Sequence, residues 1–435
     1  MKVIGIVAEY NPFHKGHAYQ IAHIRKKLDA DYVIIAMSGN FVQRGAPALL
    51  DKYTRARMAL SCGADLVLEI PALCATASAE YFAKGGVNLL QRTGVVTDLC
   101  FGAESENIDL LKKAASVLAE HSASFEKDLQ KRLKTGISYP LARAQTLEEY
   151  LVVSGNADLQ ELSLLLNSPN NILAIEYLKY LTVHAKEIIP RPILRKGQGY
   201  HDTQLRSDST LSPEDTFASA SAIRSLLHRN LEQSSAGKQT DERNFPGHLS
   251  DTMPANACEI LNDYPHPFLF EDDFSALVHY KILSESPEEL STYADSSADL
   301  ANRIYHKRHE FVSWTQFCQL LKTKNTTYTR LSRLLLHIIL NFHAEDYQLL
   351  ASSSPISYLR VLGFQKKSAP LLSEIKKYGT APLVTSVSDA LKVLPQTACQ
   401  MIKQDIICSD IYNLALTAKG NQNLRNDHTH PIVIL

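Results

Sequence analysis

The chain has 435 residues, with 45 Lys and Arg against 46 Asp and Glu and a formal net charge of -1. That length exceeds what one hydrophobic core usually supports, so two or three domains are expected. The balanced charge excludes a chain that is basic throughout, so any nucleic-acid surface must be local. The opening MKVIGIVAEYNPFH breaks its short apolar run at Glu9, too early for a signal segment, and no stretch approaches a membrane span of ~20 apolar residues. Seven dispersed cysteines without a CxxC pair read as reduced thiols in a cytoplasmic protein, not as a zinc site.

Residues 2–8, 32–37, 65–70 and 95–101 are short β-branched or apolar runs, each followed by a turn signal. That is how strands buried on both faces of a parallel sheet read. Helical patterns at 16–28, 51–62 and 78–90 fall between them. The alternation predicts βαβ units and an α/β fold built on a Rossmann-like parallel sheet. Further helices are predicted at 108–118, 125–134, 141–152 and 169–181, and a fifth strand at 187–194. Residues 227–251 are polar and aperiodic and read as a linker or exposed loop. An acidic, Ser-rich stretch at 284–299 precedes a strongly helical pattern at 300–344, and 431–435 (PIVIL) predicts a short final strand. The expected organisation is a catalytic domain at 1–230, a connecting segment at 231–299, and a mostly helical, locally basic domain at 300–435.

The segment YNPFHKGH at 10–17 follows the first strand and opens the first helix. A helix N-terminus offers unpaired backbone N–H groups and a positive dipole end, which favour an anion. Gly16 lets backbone approach a phosphate, and Pro12 stiffens the approach. His14 and His17 lie three apart, so on a helical turn both can reach one phosphate and donate to its oxygens as charge grows. The segment ASASAIR at 218–224 sets Ser219 and Ser221 at a helix N-terminus and Arg224 one turn on. Hydroxyls there cap the helix or bond phosphate oxygens, and arginine supplies a fixed fork for β- and γ-phosphates.

Between 303 and 333 stand Arg303, Lys307, Arg308, Lys322, Lys324, Arg330 and Arg333 against the single acid Glu310. Tyr305, Trp314 and Tyr328 are interleaved. Basic side chains that take phosphates and aromatics that stack on unpaired bases suit a single-stranded RNA loop.

An HxGH sequence after strand one, followed late in the chain by an ISxSxxR-type motif, resembles the nucleotidylyltransferase superfamily. The resemblance narrows with AEYNPFHKGHAYQ at 8–20, MSGNFVQRGAPALLDKYTRARMAL at 37–60, FGAESE at 101–106, SPNNILAIEYL at 168–178 and RKGQGYHD at 195–202. Together with 218–224 these look like the bacterial tRNA(Met) cytidine acetate ligases. The match covers most of 1–230 and continues more weakly into 300–415.

The resemblance implies two steps. Acetate attacks the α-phosphate of ATP to give acetyl-adenylate, and N4 of the wobble cytidine of elongator tRNA(Met) then takes the acetyl group. By position, it implies ATP contacts from Val7, Ala8, Glu9, Tyr10, Asn11, Pro12, Phe13, His14, Lys15, Gly16, His17, Ala18, Tyr19 and Gln20. Further contacts are implied for Gly102, for Asn170 or Asn171, and for Arg195 with its neighbour Lys196. His14 and His17 are expected to act as catalytic stabilisers of the transition state, not as bases, because acetate is already ionised at neutral pH. Magnesium is expected on the phosphates, with no dedicated protein ligands. Gln43 and Arg44, in a loop on the same sheet edge, are placed to touch acetate, pyrophosphate or RNA. Tyr200, His201 and Asp202 form a polar cluster without an assigned catalytic role. The competing expectation is a nucleotidylyltransferase acting on a small phosphorylated cofactor precursor. The locally basic C-terminal half argues against it.

Overall fold

The structure is a computed structural model. It describes residues 1–435 apart from 106, 121, 154–161, 164, 167, 195–217, 236–247, 351, 353 and 421–423. Its centre is strand β1 (Val3–Ala8), which pairs in parallel with β2 (Tyr32–Ser38) on one side and β6 (Asp98–Ala103) on the other. Beyond β2 lies β5 (Leu66–Ile70), and beyond β6 lies β7 (Ile189–Leu194), both parallel to their neighbours. These five strands are the ones expected from the sequence, with ends shifted by up to three residues. β1, β2, β5 and β6 are almost wholly apolar and buried because helices cover both sides of the sheet, whereas the edge strand β7 is half-buried and carries Arg191.

The alternation of side chains along the strands divides the core in two. Val3, Ile34, Leu68 and Leu99 pack with Leu89 and Leu90 of the Ala79–Arg92 helix. Ile4, Ile6, Val33 and Ile35 pack with Ile21 and Ile24 of helix α1 (Lys15–Lys27) and Met58 of helix α2 (Lys52–Ser61). Gly86 lets the first layer close on β1, since a Cβ there would lie 2.6 Å from Val7 Cγ1.

The last part of the chain is mostly helical and ends in a strand as expected, and it adds two strands that were not expected. Strand β8 (Leu359–Phe364) runs antiparallel beside β5, and β10 (Val433–Ile434) and β9 (Leu383–Val384) pair in parallel with β8. The sheet order is therefore β10-β8-β5-β2-β1-β6-β7, and the chain returns after 358 to complete the N-terminal sheet. β8 escaped the sequence reading because a single apolar run among helices carries no neighbouring alternation to mark it. The stretch at 227–251 also differs. The Ala220–Ser235 helix runs into it, and a short helix, His248–Thr252, closes it. Within 284–299, Ser286 and Glu289 form a capping box that starts the Pro287–Ser291 helix.

The C-terminal return is fastened by a buried charge cluster. Lys52 Nζ lies 2.9 Å from Glu69 Oε1 and 2.9 Å from Asp427 Oδ2. Arg360 lies 3.1 Å from Glu69 Oε2 and 3.0 Å from Asp427 Oδ2. Two cations thus balance two carboxylates. Nearby Asp405 accepts from Ala72 N–H at 2.7 Å and from the Tyr358 hydroxyl at 2.5 Å. It would be a third carboxylate, and burial together with the Glu69 charge pushes it up to about 7. A carboxyl raised in the folded chain stabilises the fold below its unfolded value, about 3.9, and that contribution is lost as pH rises through about 7. Asparagine at 405 can keep one acceptor for Ala72 and offer a donor to Tyr358, without titrating. Asp405→Asn is therefore expected to narrow the difference in Tm between pH 5 and pH 8. Thermal unfolding across that range checks it, and an unchanged pH dependence would refute the assignment.

Candidate active site

The chain leaves β1 at Ala8 and turns through Tyr10, whose φ of 50° is left-handed, before α1 begins at Lys15. His14 caps α1. Its Nδ1 accepts from Gly16 N–H at 3.1 Å, and His17 Nδ1 accepts from His14 N–H at 3.2 Å. A ring nitrogen that accepts carries no proton, so in both imidazoles the proton sits on Nε2, the form that donates from that atom. The rings stack with centroids 3.6 Å apart. Capping the helix and aiming two Nε2–H donors are thus one arrangement.

Residues 37–60 hold this loop from behind. Fully buried Arg55 donates from Nε to Leu50 O at 2.9 Å, and from Nη1 to Glu9 O at 2.6 Å and Ser38 O at 3.1 Å. Its Nη2 donates to Gly39 O. Asn11 Oδ1 accepts from Leu49 N–H at 2.8 Å, and Glu9 Oε1 from Gln43 N–H at 2.9 Å. Four carbonyls on one guanidinium satisfy a buried cation by hydrogen bonds alone. The second motif reaches the first across 213 positions, where Arg224 Nη1 donates to Asn11 O at 2.6 Å. Its Nη2 donates to Ser221 Oγ at 3.2 Å, and buried Ser219 caps the helix by accepting from Ala222 N–H at 3.1 Å.

These elements line a cleft of about 840 Å³ at the carboxyl edge of the sheet, where ligands of open α/β sheets bind. Val7, Ala8, Glu9, Tyr10, Asn11, His14, Gly16, His17, Tyr19 and Gln20 line it, together with Gly102, Asn170, Ser219, Ser221 and Arg224. Pro12, Phe13, Lys15, Ala18 and Asn171 are not among its lining residues. Phe13 is buried in the core beside Tyr10. The two asparagines divide by role. Asn170 faces the cleft and donates to Glu104 Oε1, whereas buried Asn171 accepts from Glu104 N–H at 2.8 Å and Ser105 N–H at 3.2 Å. Arg195, Lys196, Tyr200, His201 and Asp202 lie outside the described residues.

Part of the facing wall was expected on this sheet edge, and part was not. Gln43 and Arg44 sit at the turn between strands β3 (Phe41–Val42) and β4 (Ala46–Pro47), and both line the cleft. This hairpin docks on the Tyr328–Leu340 helix, where Ser332 Oγ donates to Gly45 O at 2.7 Å. Gly45 has φ +75°, and a Cβ there would lie 2.3 Å from Arg333 N, so only glycine permits the contact.

The docking carries Arg330 and Arg333 into the cleft. Arg333 holds Asp295 through two bonds of 2.8 and 2.9 Å, and Arg330 Nε donates to Asp295 O at 3.0 Å. Burial alone would raise the Asp295 carboxyl, but the Arg333 hydrogen bonds and charge outweigh it and hold the group below its usual value.

The other basic residues of this segment are elsewhere. Arg303 donates to Leu321 O at 3.0 Å, Arg308 stacks 3.7 Å from the Tyr305 ring centroid, and Lys307 lies 3.5 Å from Glu310. Lys322 and Lys324 are exposed. Trp314 corrects the aromatic reading, because it is fully buried and donates to Ser332 Oγ at 3.1 Å, so it cannot stack on a base. A third wall, also unforeseen, brings Tyr139 and Arg143 from the Tyr139–Val153 helix.

Among the described residues, no cluster of three or more His, Cys, Asp or Glu is set to hold a metal ion, and no helix is long and apolar enough to cross a membrane. Residues 1–427 match the HIGH Nucleotidyl Transferase family. The chain is 34% identical over 438 residues, covering all of both chains, to the tRNA(Met) cytidine acetate ligase of Acetivibrio thermocellus. It is 39% identical over 415 residues, 95% of each chain, to that of Clostridium perfringens strain SM101. Among solved structures it resembles Thermotoga maritima TmcAL without ligand (TM-score 0.89) and TmcAL bound with alpha-thio ATP (TM-score 0.86), each 31% identical over the full length of both chains. A nucleotidyl transferase site on this sheet, in a chain matched end to end by such relatives, places the protein in the family of tRNA(Met) cytidine acetate ligases.

Proposed function

We propose that this chain joins acetate to elongator tRNA(Met) at the expense of ATP. An acetate oxygen bonds to the α-phosphorus while the bond to pyrophosphate breaks, giving acetyl-adenylate. N4 of the wobble cytidine then bonds to the acetyl carbon, AMP leaves, and the amine gives up its proton. The observation that carries this reading is the pair of Nε2–H donors on His14 and His17 in one cleft with Arg224. Such donors favour the charge that builds on the α-phosphate.

In this reading Arg224, Ser219 and Ser221 receive the outer phosphates. Gly102 and Asn170 lie toward the nucleoside, and Asn171 holds the loop at Glu104 and Ser105 against the helix that carries Asn170. No protein base is needed, since acetate is ionised at neutral pH. Magnesium enters on the phosphates of ATP as part of the substrate. The proposed division gives ATP activation to residues 1–230 and RNA recognition to the helical part after 300, in a cytoplasmic enzyme.

Purified protein with ATP, labelled acetate and tRNA is expected to yield labelled N4-acetylcytidine. Absence of label, with AMP passed to a phosphorylated acceptor instead, would overturn the reading. Reversing Lys322, Lys324 and Arg330 to Glu is expected to weaken tRNA binding by at least about tenfold. It should also flatten the salt dependence, because each lost phosphate contact removes about one unit of slope. Filter binding at two salt concentrations measures both, and an unchanged affinity would refute the RNA assignment of this segment.

A further inference from the structure

We infer that the mouth of the cleft is a composite RNA-loop site. Half of it comes from the helix–turn–helix corner at 131–139, a part of the chain outside the basic segment at 303–333. The inference rests on the proposed tRNA substrate and names where its unpaired loop docks.

The turn joins the Ala123–Leu133 helix to the Tyr139–Val153 helix. The corner at 131–139 carries Lys131 and Arg132 at the end of the first helix and Lys134 in the turn, while that at 322–330 carries Lys322, Lys324 and, at the start of the Tyr328–Leu340 helix, Arg330. Neither contains a carboxylate. The two turns meet, since a Cβ on Gly136 would lie 3.5 Å from Asn325 Nδ2. Asn325 and Tyr139 both line the cleft, so the junction stands at its entrance. Arg132 is occupied by Glu149. Lys131, Lys134, Lys322 and Lys324 are exposed, and among the described residues none has an ion-pair partner. Like charges gathered at one entrance raise the local concentration of an anion.

Tyr139 supplies the second element. It is 52% exposed although large and aromatic, at the edge of the cleft that the lysines flank. Exposed aromatics beside a basic track are the means by which proteins hold unstacked bases. Trp314, one of the three aromatics that the sequence offered for this purpose, is in the core. The geometry assigns base stacking to Tyr139 and backbone contacts to lysines of both turns, with the cleft behind them to receive one extruded nucleotide.

The test measures binding of a tRNA(Met) transcript to the full chain at two salt concentrations. Lys131→Glu/Lys134→Glu should weaken binding about tenfold and lower the salt slope by about two. Tyr139→Ala should weaken it about fivefold or more with the salt slope unchanged, and Tyr139→Phe should restore it. Wild-type affinity in both the double lysine variant and Tyr139→Ala would overturn the inference. Equal loss in Tyr139→Phe and Tyr139→Ala would overturn the stacking role. Failure of the underlying reading shows in the wild type, as absent tRNA binding or absent acetate-dependent exchange of pyrophosphate into ATP. Failure of the docking site shows only in the variants.

Discussion

His17→Ala is expected to lower kcat for acetate-dependent pyrophosphate exchange by about 10²–10³-fold, the usual cost of removing one preorganised donor to a developing charge. The substitution removes the Nε2–H, but it also removes the Nδ1 acceptor for His14 N–H and the ring stacked on His14. Loss of rate alone would therefore not separate chemistry from loop support. His17→Gln does. Glutamine at the third helical position can reach back to the cap N–H as in an ordinary capping box, so it restores support without restoring the imidazole donor. The expected result is a His17→Gln protein with near wild-type Tm and a rate close to that of His17→Ala. Recovery of rate in His17→Gln would reduce His17 to a brace for the loop and leave His14 as the remaining donor. Exchange kinetics and thermal unfolding of the two variants decide it.

The legible and illegible parts of this molecule differ in physical kind. Strands β1, β2, β5 and β6 could be read because burial on both faces leaves nearly continuous apolar runs. The loop at 10–17 and the motif at 218–224 could be read because anion binding needs particular residue types at fixed spacing. Their meeting through Arg224 and Asn11 could be expected only from resemblance, since nothing local links positions 213 apart.

Part of the facing wall was illegible for the same reason. Arg330 and Arg333 read as part of a basic RNA-binding segment, and nothing local placed them in this cleft; that depends on Gly45 letting the hairpin seat against their helix. Tyr139 gave no signal at all, because an exposed aromatic in an amphipathic helix looks like any other. Trp314 misled in the opposite direction: its neighbours are polar, but its own helix turns it inward. Lys52 and Arg55, both in α2, carried no signal of their place either, and both are completely buried.

Lys52 makes the second large effect. Lys52→Met is expected to destabilise the fold by about 3–5 kcal/mol, the cost of stripping one partner from a buried ion pair. Methionine preserves most of the volume, so the loss is electrostatic. Glu69 and Asp427 would then face Arg360 alone, which leaves one carboxylate charge unbalanced beside Asp405.

The sign of the pH effect follows. An unbalanced buried carboxylate is driven to take a proton, so its folded pKa rises above the unfolded value. Stability from a group raised in this way is present at low pH and lost as pH rises. The Lys52→Met penalty should accordingly be smaller at pH 5 than at pH 8. Adding Asp427→Asn should recover part of the loss at pH 8, because it restores one cation to one carboxylate.

The backbone N–H at 52, which the substitution keeps, donates to Asn40 Oδ1 at 2.8 Å, in the loop between β2 and the hairpin that carries Gln43 and Arg44. Urea unfolding of the single and double variants at both pH values measures the penalty. An equal penalty at pH 5 and pH 8, with no recovery in the double variant, would mean that packing rather than charge balance fastens the C-terminal strands to the catalytic sheet.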